Sequence, residues 1–508
     1  MGIFVATTFS RTSSRAALPA LGLICAAGLA ARLLMAFAFP TVAHPDEIFQ
    51  ILEQSSRIAT GRGLIPWEFA DGARSWFAPG LFVPVFVLAR WLGATPEETL
   101  GAVTILVSLA SLVPVVCAYI LVERHHDPRA GLAAAAVVAL WSDLVFLSAH
   151  PVIDSIALIP FAALLAVGYR VESLDRRRLC WSGALIALVF VLRPQLAPAL
   201  AIAGICFARA RPVPMMTIAM AGVPVILLVF GLLDWATWGA PFYSIAVYLE
   251  TNLGGVSSRF GESGPLFVLG EMRAWSWSLP LLVACVAVGA RRMPLAAVLM
   301  VAIALPFSLI GHKELRFFLP AIYLFFVLAG AGTTVVQDEA SARWPRLRGV
   351  LGGALLLFWI AADLTAFRAP TVRAARGEYD GAVAILPVVN ADPHICGVAL
   401  DPAKWWATGY VRLRRDLHYF TLPAAPLTTG LRHYNAVIAL PETTRLGELR
   451  AAGFRRGACR GEFYRVCLYT RPTGCADHGD ALLRADNPYV DPILARMRIR
   501  AFQDRLAP

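Results

Sequence analysis

The sequence predicts an all-α polytopic membrane bundle followed by a small α/β domain. The chain has 508 residues, 58% of them hydrophobic and only 16% charged. Its mean hydropathy is +0.64, whereas soluble domains carry about 25% charged residues. Apolar runs of helix-spanning length recur through the first 370 residues, each able to cross about 30 Å of hydrocarbon. Beyond about residue 370 the hydropathy collapses and short apolar runs alternate with polar ones. The expected division is a membrane domain over 1–370, a small α/β domain over 371–490 and a peripheral tail over 491–508.

Apolar segments fall at about 17–40, 77–93, 98–122, 129–148, 153–170, 180–209, 214–233, 275–290, 294–310, 316–335 and 348–367. The 180–209 stretch exceeds one span and contains Arg193-Pro194, so it reads as two short helices broken at the proline. The total is about 11 to 13 membrane segments. Arg11 and Arg15 precede the first run, which is too long for a signal peptide and has no small-residue cleavage site before His44. It reads as an uncleaved helix starting in the cytoplasm, with the 41–75 loop outside. Simple alternation would then leave Arg170 to Arg178 outside, against the positive-inside rule. The conflict disappears if 77–93, broken by Pro79-Gly80 and Pro84, lies along or dips into the membrane. His150 to Asp154 then joins the first loop outside. The net charge of +11 is accounted for by short basic loops such as Arg176-Arg177-Arg178 and Arg291-Arg292, and calls for no nucleic acid.

In the α/β domain, Ile395–Leu400 and Tyr434–Leu440 read as strands, and Ala403–Val411 and Thr443–Ala452 as helices. Phe454–Arg460 and Phe463–Tyr469 read as a hairpin. Five of nine cysteines (Cys25, Cys117, Cys180, Cys206, Cys285) lie in or at apolar segments and read as packing residues. Cys396, Cys459, Cys467 and Cys475 share the α/β domain. Three pairings are open to them, with Cys459–Cys467 across the hairpin the first choice and free thiols the alternative. Disulfides would place this domain on the oxidising side, with the first loop.

The first loop concentrates chemistry. His44-Pro45-Asp46-Glu47-Ile48-Phe49-Gln50 follows a span directly, and Pro66-Trp67-Glu68-Phe69, Asp71 and Arg74-Ser75-Trp76 follow within the same loop. Charges so close to hydrocarbon are costly and usually functional. Asp46, Phe49, Gln50 and Glu53 recur at helical spacing, as do Ile48, Leu52 and Ser55, predicting an amphipathic helix along the membrane surface. Asp46 in its first turn favours the ionised form. A simple helix cap is the plain alternative, set against the crowding of His44, Glu47, Glu68, Asp71 and Arg74.

A second cluster, Gly311-His312-Lys313-Glu314-Leu315-Arg316-Phe317, stands at the head of a span. Lys313 and Arg316, three apart, could grip a phosphate; a cytoplasmic basic loop is the alternative. Arg193, inside an apolar run, is a further phosphate candidate, and Asp154 at the head of a span a second carboxylate. A third cluster runs from Asp234-Trp235 through Tyr243, Tyr248, Glu250 and Asn252 to Gly254-Gly255, Arg259 and Gly261. It suits either a sugar or the aromatic belt of the interface. His125-His126-Asp127 is not at metal-ligand spacing and reads as a solvated basic loop, and no nucleotide-binding glycine motif is present. No metal site is expected.

The motif His44-Pro45-Asp46-Glu47-x-Phe49-Gln50-x-Leu52-Glu53, with Gly61-x-Gly63, Pro66-Trp67-Glu68-Phe69 and Arg74-Ser75, resembles the first luminal loop of glycosyltransferase family 22. These are the polyprenyl-phosphate-mannose-dependent mannosyltransferases of N-glycan and GPI-anchor assembly. His312-Lys313-Glu314-x-Arg316-Phe317 and Asp234 to Gly264 resemble that family's later segments, so the likeness touches roughly residues 30–330. It implies a GT-C fold with the catalytic carboxylate on the first extracytoplasmic loop. It also implies inverting transfer of a sugar from a polyprenyl-phosphate donor to a glycan or glycolipid acceptor. Asp46 is then the general base, with Glu47 and His44 in support. Lys313, Arg316, His312, Arg74 and Arg193 are the donor-phosphate candidates, and Glu68, Trp67, Asp154, Tyr248 and Asn252 the substrate contacts. Fixed cations can balance the leaving phosphate, so no cofactor or metal is expected beyond the lipid-linked donor. The alanine- and arginine-rich composition looks bacterial, implying the cytoplasmic membrane with the site facing outward. The competing class is a transporter or flippase of lipid-linked sugars, which would show inverted halves; no such symmetry is visible in the segment pattern. A non-catalytic assembly subunit would not need the crowded carboxylates.

Overall fold

The computed structural model describes residues 11–475, except 170–174, 254–260, 370, 371, 374, 375, 401–407, 415 and 422–430. Six helices in it are long and apolar enough to cross a membrane: Ala17–Ala38, Pro96–Glu123, Pro212–Trp238, Phe267–Arg292, Leu315–Arg343 and Pro345–Arg368. Pro128–Leu140 and Ser142–Ser148, bent by 61° at Trp141, make a seventh if counted as one span. This is fewer than the 11 to 13 segments expected. Apolar runs at 77–93, 153–170 and 294–310 form helices short of a full span, and 180–209 breaks at Arg193-Pro194 as anticipated. Segment 77–93 is itself split into Phe77–Gly80 and Val83–Trp91, consistent with a run that does not cross.

The helix Leu319–Arg343 is the axis of the bundle, buried continuously from Leu319 to Thr334. It packs backbone to backbone on Leu279–Arg292. A Cβ on Gly289 would strike the Leu328 carbonyl, and one on Gly332 the Cys285 carbonyl. Arg32, in the first span, is 1% exposed. Its guanidinium donates to Ser111 Oγ at 2.8 Å, Gly28 O at 2.9 Å and Ala139 O at 2.7 Å. The Ala139 carbonyl lies in the last turn before the break at Trp141, whose ψ of 125° ends the helix. Arg32 therefore satisfies a helix end that would otherwise sit unpaired in hydrocarbon.

The first loop does form a helix, but not an interfacial one. Glu47–Leu52 is wound in wide π-turns and continues as Glu53–Thr60, with every residue from Glu47 to Ser55 buried. The α/β domain packs on the apolar side of this helix and on Glu53, while Asp46 and Gln50 turn to Arg316 and Glu68. Val42, Ile48, Ile51 and Leu52 share one apolar core with Leu386, Val398, Val411 and Val466. Loop and domain therefore occupy one face of the bundle.

That domain holds five strands: β1 (Gly397–Leu400), β2 (His418–Thr421), β3 (Ala436–Ala439), β4 (Arg455–Arg460) and β5 (Val466–Thr470), in the order β2-β1-β3-β5-β4. β1 is parallel to β2 and β3, while β3-β5-β4 is antiparallel. The expected β4–β5 hairpin is present, and Cys459 faces Cys467 across it in a disulfide. Cys396–Cys475 forms a second bridge. The helix expected at Thr443–Ala452 spans Leu446–Ala451. The one at Ala403–Val411 falls largely outside the described residues, leaving a single turn at Tyr410–Arg412.

Candidate active site

The site forms where the first loop meets the heads of two spans. Arg316, 7% exposed, opens the central helix and lays its three nitrogens on three carboxylates. Nη2 is 2.7 Å from Asp46 Oδ2, Nε 2.6 Å from Glu314 Oε2, and Nη1 3.5 Å from Asp154 Oδ2. Asp154 is 2% exposed and also takes Arg193 Nη2 at 2.6 Å. The break at Arg193-Pro194 frees that side chain from its helix and turns it to Asp154. Carboxylates from the first loop, the 311–317 loop and the head of Ile153–Gly168 are thus held around two fixed guanidinium groups, as charges so deep in protein require.

His44 ties the lattice together. Its Nδ1 is 3.1 Å from the Asp46 backbone nitrogen and its Nε2 3.2 Å from Glu314 Oε2. A neutral ring accepts from the Asp46 N–H and donates to Glu314. His312 Nε2 lies 2.8 Å from the other Glu314 oxygen. Asp46 makes no side-chain cap to its own helix, so the capping alternative fails: its carboxylate faces Arg316 instead. Burial works against ionisation of Asp46, but Arg316 outweighs it, with His44 and Arg74 adding, and the carboxyl is held well below its ordinary range. Glu314 is likewise driven down to about 2 against its own burial, chiefly by Arg316. Glu47 points away from Asp46. Its Oε2 is 2.9 Å from His150 Nδ1 and accepts from the Ala43 N–H at 3.0 Å.

Glu68 stands on the short helix Trp67–Ala70 and accepts from Gln50 Nε2 at 2.9 Å. Burial, reinforced by the Asp46 charge, pushes its carboxyl up to about 7. Arg74 lies 5.3 Å from the Tyr248 ring centroid, and the Tyr248 hydroxyl accepts from Gln195. The turn carrying Arg74 depends on Gly72, whose φ is +76° and whose Cβ position is filled by the Tyr243 ring. A cavity of about 730 Å³ opens beside the lattice, walled by Val268, Met272, Met300, Ile322 and Phe325 among others. His44, Glu314 and Arg316 line one part of it, and Asp143, Arg273 and Arg376 another.

Several expected residues stand elsewhere. Lys313 does not join Arg316. It is buried, and its Nζ donates to the Ser263 carbonyl at 2.6 Å and to that of Ile310, fastening its own loop. Asn252 is exposed and donates to Tyr248 O at 2.8 Å. Trp67 packs against the small cluster of Ala73, Tyr243 and Val247 rather than facing the carboxylates. Asp234 accepts from Ser244 N and Oγ at 2.9 and 2.7 Å, a fold contact. Gly254, Gly255 and Arg259 lie outside the described residues. His125 and His126 are buried at 7% and 4% exposure rather than solvated. The His125 ring sits 4.3 Å from that of Tyr169, with its Nδ1 2.7 Å from Leu121 O. Among the described residues no three His, Cys, Asp or Glu side chains gather as metal ligands. The sequence reading missed His150 as the partner of Glu47 and Asp143 with Arg376 at the cavity. Their partners lie 103 and 233 residues away in the chain, a pairing that no local pattern indicates.

The chain is 26% identical over 311 residues to GPI mannosyltransferase 3 of Yarrowia lipolytica, covering 60% of each. It is 25% identical over 335 residues to the mannosyltransferase APTG1 of Arabidopsis thaliana, covering 62% of this chain and 59% of that one. The chain thus spans about three fifths of the length of these relatives. Its fold is that of ArnT from Cupriavidus metallidurans bound to undecaprenyl phosphate, with a TM-score of 0.58 at 15% identity, covering 91% of this chain and 98% of ArnT. The apo ArnT structure superposes with a TM-score of 0.57 at 14% identity, covering 90% and 99%. The GT-C architecture anticipated from the motifs is therefore present. Residues 23–372, more than half of the sequence and all of the carboxylate lattice, match the Alg9-like mannosyltransferase family, and the chain belongs to that family.

Proposed function

We propose that this protein is an integral-membrane mannosyltransferase. It moves a mannosyl unit, with inversion, from a polyprenyl-phosphate carrier to a glycan or glycolipid acceptor on the outward side of a bacterial cytoplasmic membrane. The observation that carries this reading is the Asp46 carboxylate, held ionised by Arg316, which itself lines a largely apolar cavity. An acceptor hydroxyl must lose its proton as it attacks the anomeric carbon, and a positioned carboxylate receives it. A carboxylate so stabilised is a weak base. The proton therefore moves late, after the bond to the leaving phosphate has lengthened and the hydroxyl has grown acidic. His44 and Glu314 fix the Asp46–Arg316 pair from behind, and Glu47, locked to His150, anchors the helix that carries it.

Family membership supports the sugar, and the undecaprenyl phosphate in the ArnT structure supports a polyprenyl carrier in this fold. The two disulfides in the domain that shares a face with the first loop support the outward orientation. The residues offer fixed cations rather than metal ligands, so transfer is expected to survive EDTA. Loss with rescue by Mg²⁺ or Mn²⁺ would make Asp46 and Glu314 candidate ligands instead. The deciding experiment incubates the purified protein in nanodiscs with radiolabelled polyprenyl-phosphate mannose and a panel of acceptors. Labelled product from wild type and none from Asp46→Asn supports the reading. Movement of intact donor across vesicles without product would favour the flippase class.

A further inference from the structure

Of the lysine and arginines expected to hold the donor phosphate (Lys313, Arg316, Arg74 and Arg193), Arg316 alone lines the cavity. Arg316 spends all three nitrogens on Asp46, Glu314 and Asp154, Arg193 is paired with Asp154, and Lys313 is bonded to backbone carbonyls. An incoming phosphate there would meet three carboxylates and compete with each. The same cavity has a second polar wall. Arg376 lies just beyond the last span, and its Nη2 pairs with Asp143 Oδ1 at 2.7 Å. The other Asp143 oxygen takes the indole N–H groups of Trp141 and Trp275 at 3.0 and 3.2 Å. Asp143 is therefore satisfied on both oxygens with only one bond from Arg376.

The guanidinium carbon lies 5.6 Å from the Phe146 centroid and 5.3 Å from that of Phe367. The side chain is thereby fixed in place by cation–π contact. It is 11% exposed, yet Nη1 has no hydrogen-bond partner among the described residues. A buried guanidinium nitrogen left unpaired is costly, and a planar fork suits a phosphate better than an ammonium does. Glu271 and Arg273 also line the cavity, and most of the remaining lining is apolar, as a phosphate ester of a hydrocarbon chain would require.

We propose that Arg376 is the anion-binding residue of this cavity, taking the phosphate of a polyprenyl phosphate whose first isoprene units lie against Met300, Ile322 and Phe325. The proposal rests on the lipid-linked donor reading and adds to it a residue beyond the 372 limit of the family match. It also divides the labour of the cavity: carboxylates at the His44–Glu314–Arg316 wall for the acceptor, a cation at the Asp143–Arg376 wall for the leaving group.

The test measures binding of polyprenyl phosphate itself to the full-length protein in phosphatidylcholine nanodiscs, so no turnover is needed. Wild type is expected to bind it in preference to inorganic phosphate and to phosphatidylglycerol. Arg376→Gln should weaken binding about 10-fold to 100-fold, the usual worth of a charged hydrogen bond, with Arg376→Lys between the two. Asp143→Asn, which frees the guanidinium, should bind as well as wild type or better. Arg376→Gln with unchanged affinity overturns the proposal. So does recovery of affinity in the Arg376→Gln/Asp143→Asn double variant, since Arg376 would then only neutralise Asp143. Equal displacement by phosphatidylglycerol overturns the choice of a polyprenyl chain. If wild type itself binds no polyprenyl phosphate, the donor reading has failed, which is a different result from failure of Arg376.

Discussion

The two ends of the first-loop helix present the same chemical group in opposite states. At one end Asp46, with its side chain 24% exposed, pairs with a guanidinium and is held well below its ordinary range. Two turns on, Glu53 is 0% exposed and is met by backbone amides. Its Oε1 accepts from Leu64 N at 2.7 Å and Tyr410 N at 3.2 Å, and its Oε2 from Val411 N at 2.8 Å. Burial still wins there, and the Glu53 carboxyl rises to about 7 despite those three donors and nearby Arg57. Full cationic charge offsets desolvation where peptide dipoles only reduce it. The first arrangement favours the ionised carboxylate. The second clamps the α/β domain onto the first loop, with Gly409, at φ +84°, admitting the Glu53 side chain where a Cβ would collide.

Removing the cation should break this contrast most severely. Arg316→Ala takes the shared cation from Asp46, Glu314 and the fully buried Asp154, which keeps Arg193, and a loss of about 1.5–3 kcal/mol in stability is expected, measured by thermal unfolding in detergent. An unfolding temperature equal to wild type would mean the lattice is solvated and the account of Asp46 wrong. Asp46→Asn keeps the shape and removes the proton acceptor. Turnover should fall about 10²-fold or more at unchanged expression, and near-normal turnover in the purified variant would take Asp46 out of the role.

Glu53 gives a pH test with the opposite sign. Its folded-state carboxyl titrates above the unfolded value of 4.5. Between the two the folded form holds the extra proton, so the clamp is fully present below about pH 4.5 and is lost as pH rises through about 7. Limited proteolysis at residues 408–414 should quicken by on the order of tenfold between pH 5 and pH 8, and Glu53→Gln should flatten that dependence. A wild-type rate independent of pH would contradict it. The smallest effect is one of access. Membrane-impermeant thiol reagents on intact cells should label Cys396, Cys459, Cys467 and Cys475 only after reduction. Labelling that needs broken membranes would put the domain in the cytoplasm.

Much of this was readable in the chain. The first-loop motif, the break at Arg193-Pro194, the β4–β5 hairpin and its Cys459–Cys467 bridge follow from local pattern, because residues close in sequence set them. What depended on distant partners was not. The periodicity of Asp46, Gln50 and Glu53 marks a polar stripe but does not say whether lipid, water or another domain covers it. Lys313 and Arg316 share a helical spacing, yet the extended backbone at Glu314 sends one to backbone carbonyls and the other to Asp46. Apolar length alone also did not separate long spans from shorter helices, since Ile153–Gly168 is apolar largely through packing inside protein.

Arg32 bears on how the chain enters the membrane. Its partners Ser111 and Ala139 lie 79 and 107 residues downstream, so the first span leaves the ribosome with an arginine that has only the Gly28 carbonyl of its own helix to bond. An unpaired arginine in mid-bilayer costs roughly 2.5–3.5 kcal/mol on insertion scales. That cost reduces, without cancelling, what the apolar residues of Ala17–Ala38 gain in lipid. The bonds that complete Arg32 form only once Pro96–Glu123 and Pro128–Leu140 have followed, so the seat of the first span is fixed by helices made after it.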